Sequence, residues 1–237
     1  MLECLYLPIV KIAIIGYGKM GREIEQIALE RGHEVTYRIN SSNAHQLSDI
    51  NRTNTDVCIE FTTPETAFRN LVQLAGASMR VICGSTGWYA KLDIVESEIL
   101  SHEGALIAAS NFSLGVNLFF EAAEFLAGIM SPYPEYDTKI TETHHIAKLD
   151  APSGTALTLA RRIRKQMDTD VPIESLRLAD VPGTHQLSFE NEIDKIELTH
   201  TAYSRRGFAL GAVMAAEFIN GKSGIFSIKD VLASMRK

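Results

Sequence analysis

Between Glu142 and Thr155 the chain reads Glu-Thr-His-His-Ile-Ala-Lys-Leu-Asp-Ala-Pro-Ser-Gly-Thr. That run sets His144, His145, the ammonium of Lys148 and the carboxylates of Glu142 and Asp150 close together. Histidine gives and takes protons near neutral pH, and a lysine adds a full positive charge. Asp150-Ala-Pro-Ser-Gly-Thr155 carries the marks of a helix start, with Pro152 near the first turn and Ser or Thr as cap. A helix N-terminus presents unpaired backbone N–H groups and a partial positive charge, which suit a carboxylate or phosphate. The run can therefore do acid–base work on an anionic substrate. Adjacent histidines in a loop are also what a solvated surface shows. A zinc site fits less well, because no cysteine lies nearby and no His or acid follows at helical spacing.

The flanking pattern predicts how the run is held. Thr138 to Thr143 reads as a strand, with Ile140 alternating with polar neighbours, and Ala156, Leu157, Leu159, Ala160 and Ile163 recur at helical spacing. His144, His145 and Lys148 are thus expected in a loop between a strand and a helix spanning Ala151 to Met167. The basic residues of that helix, Arg161, Arg162, Arg164 and Lys165, read as a solvated face.

A second cluster lies near the start. Lys11-Ile-Ala-Ile-Ile15 has the composition of a buried parallel strand. Gly16-Tyr17-Gly18-Lys19-Met20-Gly21 follows, and Met20, Ile24, Ile27 and Ala28 mark a helix face. GxGxxG carries weight only in that strand–turn–helix setting. There Gly16 permits the tight turn, Gly18 the approach of a pyrophosphate, and Gly21 close helix–strand packing. A glycine turn without a ligand is the alternative. NAD sites place an acid near the end of the second strand; here Glu34 to Ile39 is followed by Asn40-Ser41-Ser42, and Arg38 stands where a 2′-phosphate would need it. That leans toward NADPH over NADH. Further strands are expected at Asp56–Phe61, Arg80–Cys83 and Ala105–Ala109, alternating with helices from Pro64 and around Leu92, Val95 and Ile99, which predicts a parallel sheet. Polar or glycine clusters sit at the carboxyl ends of three strands: Gly16–Gly21, Gly84–Gly87 and Ser110–Ser113. Ligands bind at those ends. A helix over Gly115 to Met130 and strands at Leu176–Arg177, Gln186–Phe189 and Lys195–His200 suggest a second, mostly antiparallel sheet, a candidate subunit interface. Phe208 to Phe218 is a small-residue helix, and Gly224 to Leu232 finishes the chain.

Composition sets limits. The 237 residues allow one or two domains, 46% are hydrophobic, and the net charge of −6 argues against a general nucleic-acid surface. Three cysteines (Cys4, Cys58, Cys83) without a CxxC pair fit a reducing cytoplasm better than a disulfide framework. Cys58 and Cys83 read as core residues. Leu2 to Val10 is apolar but too short for a membrane span and lacks a basic n-region, so it reads as an extension ahead of the domain.

Taken together, His144-His145-x-x-Lys148-x-Asp150-Ala-Pro-Ser-Gly-Thr155 resembles the signature of the dihydrodipicolinate reductase family. Gly84-Ser85-Thr86-Gly87, Asn111-Phe112-Ser113 and Gly115-Val-Asn117, Arg177 through Gly183 to His185, and His200 through Arg205 resemble further family motifs, although Ala179 and Pro182 depart from its common residues. The resemblance implies a Rossmann-type domain over residues 1–112 and 207–237. It also implies a mixed-sheet α+β domain over 113–206 that binds substrate and forms a homotetramer. It implies NADH- or NADPH-dependent reduction of 4-hydroxy-tetrahydrodipicolinate, a cyclic dicarboxylate, in diaminopimelate and lysine biosynthesis. His144 would be the acid/base, Lys148 the proton donor or charge stabiliser, and His145, Gly154 and Thr155 substrate contacts. Gly16 to Gly21, Arg38, Gly84, Ser85, Thr86, Ser110, Asn111 and Phe112 would contact the cofactor, with no metal. Two rivals stand beside it: another two-domain dehydrogenase of amino or hydroxy acids, and a dinucleotide-sensing protein without catalysis.

Overall fold

In the computed structural model, residues 8–235 are described. Cys4 and the apolar residues from Leu2 to Leu7 lie outside them. Val10 is already buried, and its N–H donates to His33 Nδ1 at 3.3 Å. The chain divides into two units, one running to Ser113 and resuming at Arg206, the other spanning Leu114–Arg205.

The first unit is built on a parallel sheet: β1 (Lys11–Ile15), β2 (Glu34–Ile39), β3 (Val57–Glu60), β4 (Arg80–Cys83), β5 (Ala105–Ala108) and β10 (Gly224–Phe226), in the order β10-β5-β4-β3-β1-β2. A strand covered on both faces must be apolar on both, and β1 is. Ile12 and Ile14 pack with α1 (Lys19–Glu30) and α6 (Arg206–Ile219), while Ala13 and Ile15 face the side of α2 (Pro64–Gly76) and α3 (Leu92–Ser101). Small residues in α6, Ala209, Gly211, Ala212, Ala215 and Ala216, are buried and let that helix lie close. The short β10, which the sequence leaves without an assignment, adds beside β5 and is followed by α7 (Ile228–Ser234). The β1–β2 and β1–β3 pairings place the switch of strand order at β1, where a ligand crevice opens in folds of this kind.

The second unit is a mixed sheet of order β7-β6-β8-β9, from β6 (Asp137–His145), β7 (Ile173–Leu178), β8 (Gly183–Glu190) and β9 (Lys195–Ala202). β6 pairs parallel with β7 and antiparallel with β8, and β8 pairs antiparallel with β9. α4 (Leu114–Met130) and α5 (Gly154–Met167) cover one face, packing Phe119, Phe120, Ala123, Leu159 and Ile163 on Ile140, Leu187 and Phe189. Leu176 and Leu178 lie on strand positions that alternate to the other side and are exposed. Arg162 departs from the expected solvated face: it pairs with Glu124 at 3.1 Å and lies over the Phe120 ring, tying α5 to α4. Cys58 and Cys83 are buried and free, and burial raises both thiol pKa values, so they are inert core residues. Among the described residues no helix is long and apolar enough to cross a membrane.

Candidate active site

β6 runs two residues further than its sequence pattern suggests, so His144 and His145 end a strand instead of lying in a loop. The loop is 146–153, and α5 starts at Gly154 behind a cap at Ser153, later than the expected Ala151. Ser153 Oγ accepts from Ala156 N–H, and the Ala151–Pro152 peptide is cis. The longer strand has a chemical consequence. Side chains alternate across a strand, so Ile140, Glu142 and His144 share the helix-covered face while His145 falls on the other and is exposed. The structure thus separates the two histidines that sequence adjacency groups together.

On the covered face Glu142 is fully buried, and its Oε2 lies 2.6 Å from His144 Nδ1. Its Oε1 accepts from Arg177 Nη2 at 2.9 Å and from the Ser153 N–H at 3.2 Å. Burial pushes the Glu142 carboxyl up, but the polar groups of Ser175, Arg177 and Ser153 and the nearby His144 outweigh it and hold it at about 2. Glu142 is therefore a carboxylate throughout the physiological range. His144 is held below its ordinary value, by burial first and by the charges of Lys148 and Arg177, against the opposing pull of Glu142. With Nδ1 against the Glu142 carboxylate, though not in line for a hydrogen bond, the ring has Nε2 for proton exchange. The Gly183 backbone lies under that edge: a Cβ there would come within 3.1 Å of His144 Cδ2 and Nε2. His185, from β8, stands edge-on to His144 with ring centroids 5.1 Å apart. Its pKa is lowered to about 4, by burial and then by the His144 charge. Ser153 Oγ, which accepts from Ala156, also shares a hydrogen bond with His185 Nε2 at 3.1 Å.

Glu142, His144 and His185 offer ligand atoms within 4.8 Å of one another, a grouping the sequence hides because His185 arrives from another strand. Two of those atoms already face each other across 2.6 Å, and Arg177 puts a positive charge on the same carboxylate. The donor set suits a held proton better than a metal ion.

Lys148 Nζ binds both oxygens of Asp150, at 2.8 and 2.9 Å. The Asp150 carboxyl is held low, by Lys148 first and also by the Gly154 N–H at the start of α5. The chain's own carboxylate thus sits on the Lys148 ammonium just ahead of a helix N-terminus. Arg177 also fixes the loop, donating to the Lys148 and Asp150 carbonyls at 3.3 and 2.6 Å. A Cβ at Gly154 would meet nothing within 4 Å. Thr155 follows in the first turn of α5.

In the first unit the three glycines behave differently. Gly16 has φ +98°, and a Cβ on it would meet Phe61 O at 2.1 Å. One on Gly21 would meet Gly16 O at 2.6 Å, while one on Gly18, the N-cap of α1, would meet nothing. That is the pattern a pyrophosphate cradle requires: two glycines forced by the fold and one left open for a ligand. Lys19 is exposed and Met20 packs against the core. Gly84 backs onto the Phe61 ring, Ser85 Oγ accepts from the Thr62 N–H at 2.7 Å, and Thr86 is exposed. Ser110 is exposed and Asn111 Oδ1 accepts from the Ser113 N–H. The Phe112 ring is core, 6.0 Å from Phe61, so its side chain packs instead of facing a ligand. Arg38 is paired with Glu25, whose other oxygen accepts from the Tyr17 hydroxyl.

Residues 10–112 match the family model for the dihydrodipicolinate reductase N-terminus, and residues 115–232 match that for its C-terminus. The chain belongs to the dihydrodipicolinate reductase family. Within this family a 4-hydroxy-tetrahydrodipicolinate reductase of Christiangramia forsetii is 44% identical, with 95% of this chain and 99% of the relative covered. One from Thermosipho africanus is 34% identical over 94% of this chain and 97% of its own. A dipicolinate-bound dihydrodipicolinate reductase from Paenisporosarcina sp. TG-14 shares the fold with a TM-score of 0.78 at 23% identity, covering 93% of this chain and 98% of that one. Like other dihydrodipicolinate reductases, the chain is an oxidoreductase with a nucleotide-binding parallel sheet. Glu142, Arg177, Ser153 and His185 lie inside stretches that the sequence singles out, but nothing in the sequence assigns them a role at the site. Only the burial of Glu142 beside an arginine distinguishes it from a surface acid, and burial is not visible in the sequence.

Proposed function

We propose that the chain reduces 4-hydroxy-tetrahydrodipicolinate to tetrahydrodipicolinate, taking one hydride and one proton and releasing water, in diaminopimelate and lysine biosynthesis in the cytoplasm. Residues Gly16 to Gly21, Gly84 to Thr86 and Ser110–Asn111 hold the nicotinamide nucleotide, whose reduced ring supplies the hydride when bound. The choice between NADH and NADPH is set at the Arg38 end of that site.

His144 does the proton work. As a neutral imidazole it accepts a proton at Nε2, and the resulting positive ring is stabilised by the Glu142 carboxylate on Nδ1. That proton comes from the substrate's ring C–H beside the hydroxyl-bearing carbon, whose electron pair becomes a ring double bond. The same imidazole gives it to the leaving hydroxyl, so that water departs; the proton that balances the incoming hydride comes from the Lys148 ammonium. Lys148 exchanges Asp150 for a carboxylate of the substrate and neutralises charge that builds on the ring. The N–H groups of Gly154 and Thr155 assist it at the start of α5, and His145 contributes a further contact. Acid–base help of this kind is worth about 10²–10⁴-fold. The observation that carries the reading is the pairing of Asp150 with Lys148, through both carboxylate oxygens and just ahead of the start of α5: an ammonium at this helix entry already holds a carboxylate.

The segment 113–206 is the substrate-binding and oligomerisation domain, and four copies assemble through the sheet face carrying Leu176 and Leu178. The test of function is an absorbance assay of NADH and NADPH with substrate generated in situ. Substrate-dependent loss of absorbance is expected. Nucleotide binding without turnover would favour a sensing protein and overturn the proposal.

A further inference from the structure

Rossmann sheets that take NAD place an acid near the end of the second strand for the ribose 2′-hydroxyl, whereas an arginine there accommodates the 2′-phosphate of NADP. Here β2 ends Tyr37-Arg38-Ile39-Asn40, which supplies the arginine and omits the acid. The structure brings a carboxylate to the same place from a different element. Glu25, in the second turn of α1, has a side chain only 16% exposed and pairs through Oε1 with the Arg38 guanidinium. Its Oε2 accepts from the hydroxyl of Tyr17, inside the glycine loop. A further Arg38 N–H donates to Val35 O at 3.3 Å. One carboxylate therefore joins the loop, the helix and the strand that surround the ribose position. Burial pushes Glu25 up, but the hydrogen bonds from Arg38 and Tyr17 outweigh it, so the group is charged at neutral pH.

We propose that Glu25 is a specificity-determining residue of the cofactor site: its carboxylate competes with a nucleotide 2′-phosphate for Arg38 and so holds down use of NADPH relative to NADH. A phosphate must displace Glu25 from the guanidinium and then sit beside a like charge. A 2′-hydroxyl is neutral and needs no such exchange; it can also donate to the carboxylate. The arginine that the sequence offers to NADPH is thus answered by an acid thirteen positions earlier, one helical face away from where such acids are sought.

This inference rests on the glycine loop being the dinucleotide site, and its test separates the two. Native protein, Glu25→Gln, Arg38→Ala and the double variant are titrated with NADH and NADPH, following nicotinamide fluorescence. Gln keeps the size of the side chain and one acceptor oxygen for Arg38, while its amide nitrogen can donate to the Tyr17 hydroxyl oxygen. Glu25→Gln should tighten NADPH about tenfold and change NADH by less than about twofold. In the Arg38→Ala background most of that gain should vanish, because the group being competed for is gone. An unchanged NADPH/NADH ratio in Glu25→Gln, or a gain that persists in full without Arg38, overturns the inference and leaves the cofactor site standing. Failure of the native protein to bind either nucleotide overturns both.

Discussion

At the scale of single residues the site is an arrangement for holding one proton. Glu142, its carboxyl held at about 2, lies 2.6 Å from His144 Nδ1, and in the proposed reaction it orients that ring in the way a buried acid orients the base of a catalytic triad. Glu142→Gln should lower kcat by about 10²-fold or more while leaving nucleotide affinity unchanged. Because Glu142 raises the His144 pKa, its loss should also move the acid limb of the kcat/KM profile to lower pH. An unmoved limb would show that the carboxylate serves only the fold. His185 gives a second titration. The folded chain holds it at about 4 against an ordinary 6.5, so between those values the unfolded chain binds the extra proton. Stability should fall as pH drops through that window, and chemical denaturation at pH 7 and pH 5 should show a smaller difference in His185→Gln than in the native chain. The sequence grouped His144 and Lys148 in one short run, and the family resemblance gave them their proposed roles. The sequence also showed Glu142, Arg177 and His185 but not that they meet, because that depends on strand register: Glu142 lies opposite Ser175 on one side and His185 on the other.

At the scale of elements, the first unit was readable because each strand is a short apolar run closed by glycine or polar residues, and the glycines have fixed jobs. Gly18→Val should fold normally and lose nucleotide binding, since its Cβ meets no protein atom. Gly16→Ala should instead destabilise the protein by at least about 2 kcal/mol, as it combines a positive φ with a clash against a backbone carbonyl. Thermal melts and calorimetric titration of the two variants distinguish these outcomes. Boundaries were less legible. The pattern at 138–143 stops before His144 because two histidines read as polar loop, while the backbone pairing with β7 continues to His145. Pro152 suggested a helix start at 151, but the cap falls at Ser153, whose hydroxyl is the one that accepts from Ala156. The expected solvated face of α5 failed at Arg162, because guanidinium over an aromatic ring is a packing contact that charge alone does not reveal.

At the scale of the molecule, the chain leaves the first unit after Ser113 and resumes it at Arg206, so β10 joins the sheet begun at Lys11. That return was legible only through the family resemblance, since β10 is too short to read on its own. The proposed assembly through the uncovered sheet face predicts a four-chain particle in sedimentation, and Leu178→Glu should shift it toward smaller species. The central claim is that His144 and Lys148 of the second unit carry the proton chemistry while the glycine loop of the first holds the nucleotide. Its most direct test is a paired measurement of kcat and nucleotide Kd in His144→Gln and Lys148→Ala. The account predicts turnover reduced by about 10²–10⁴-fold with Kd unchanged. Undiminished turnover, or a loss of nucleotide binding in step with turnover, would contradict it.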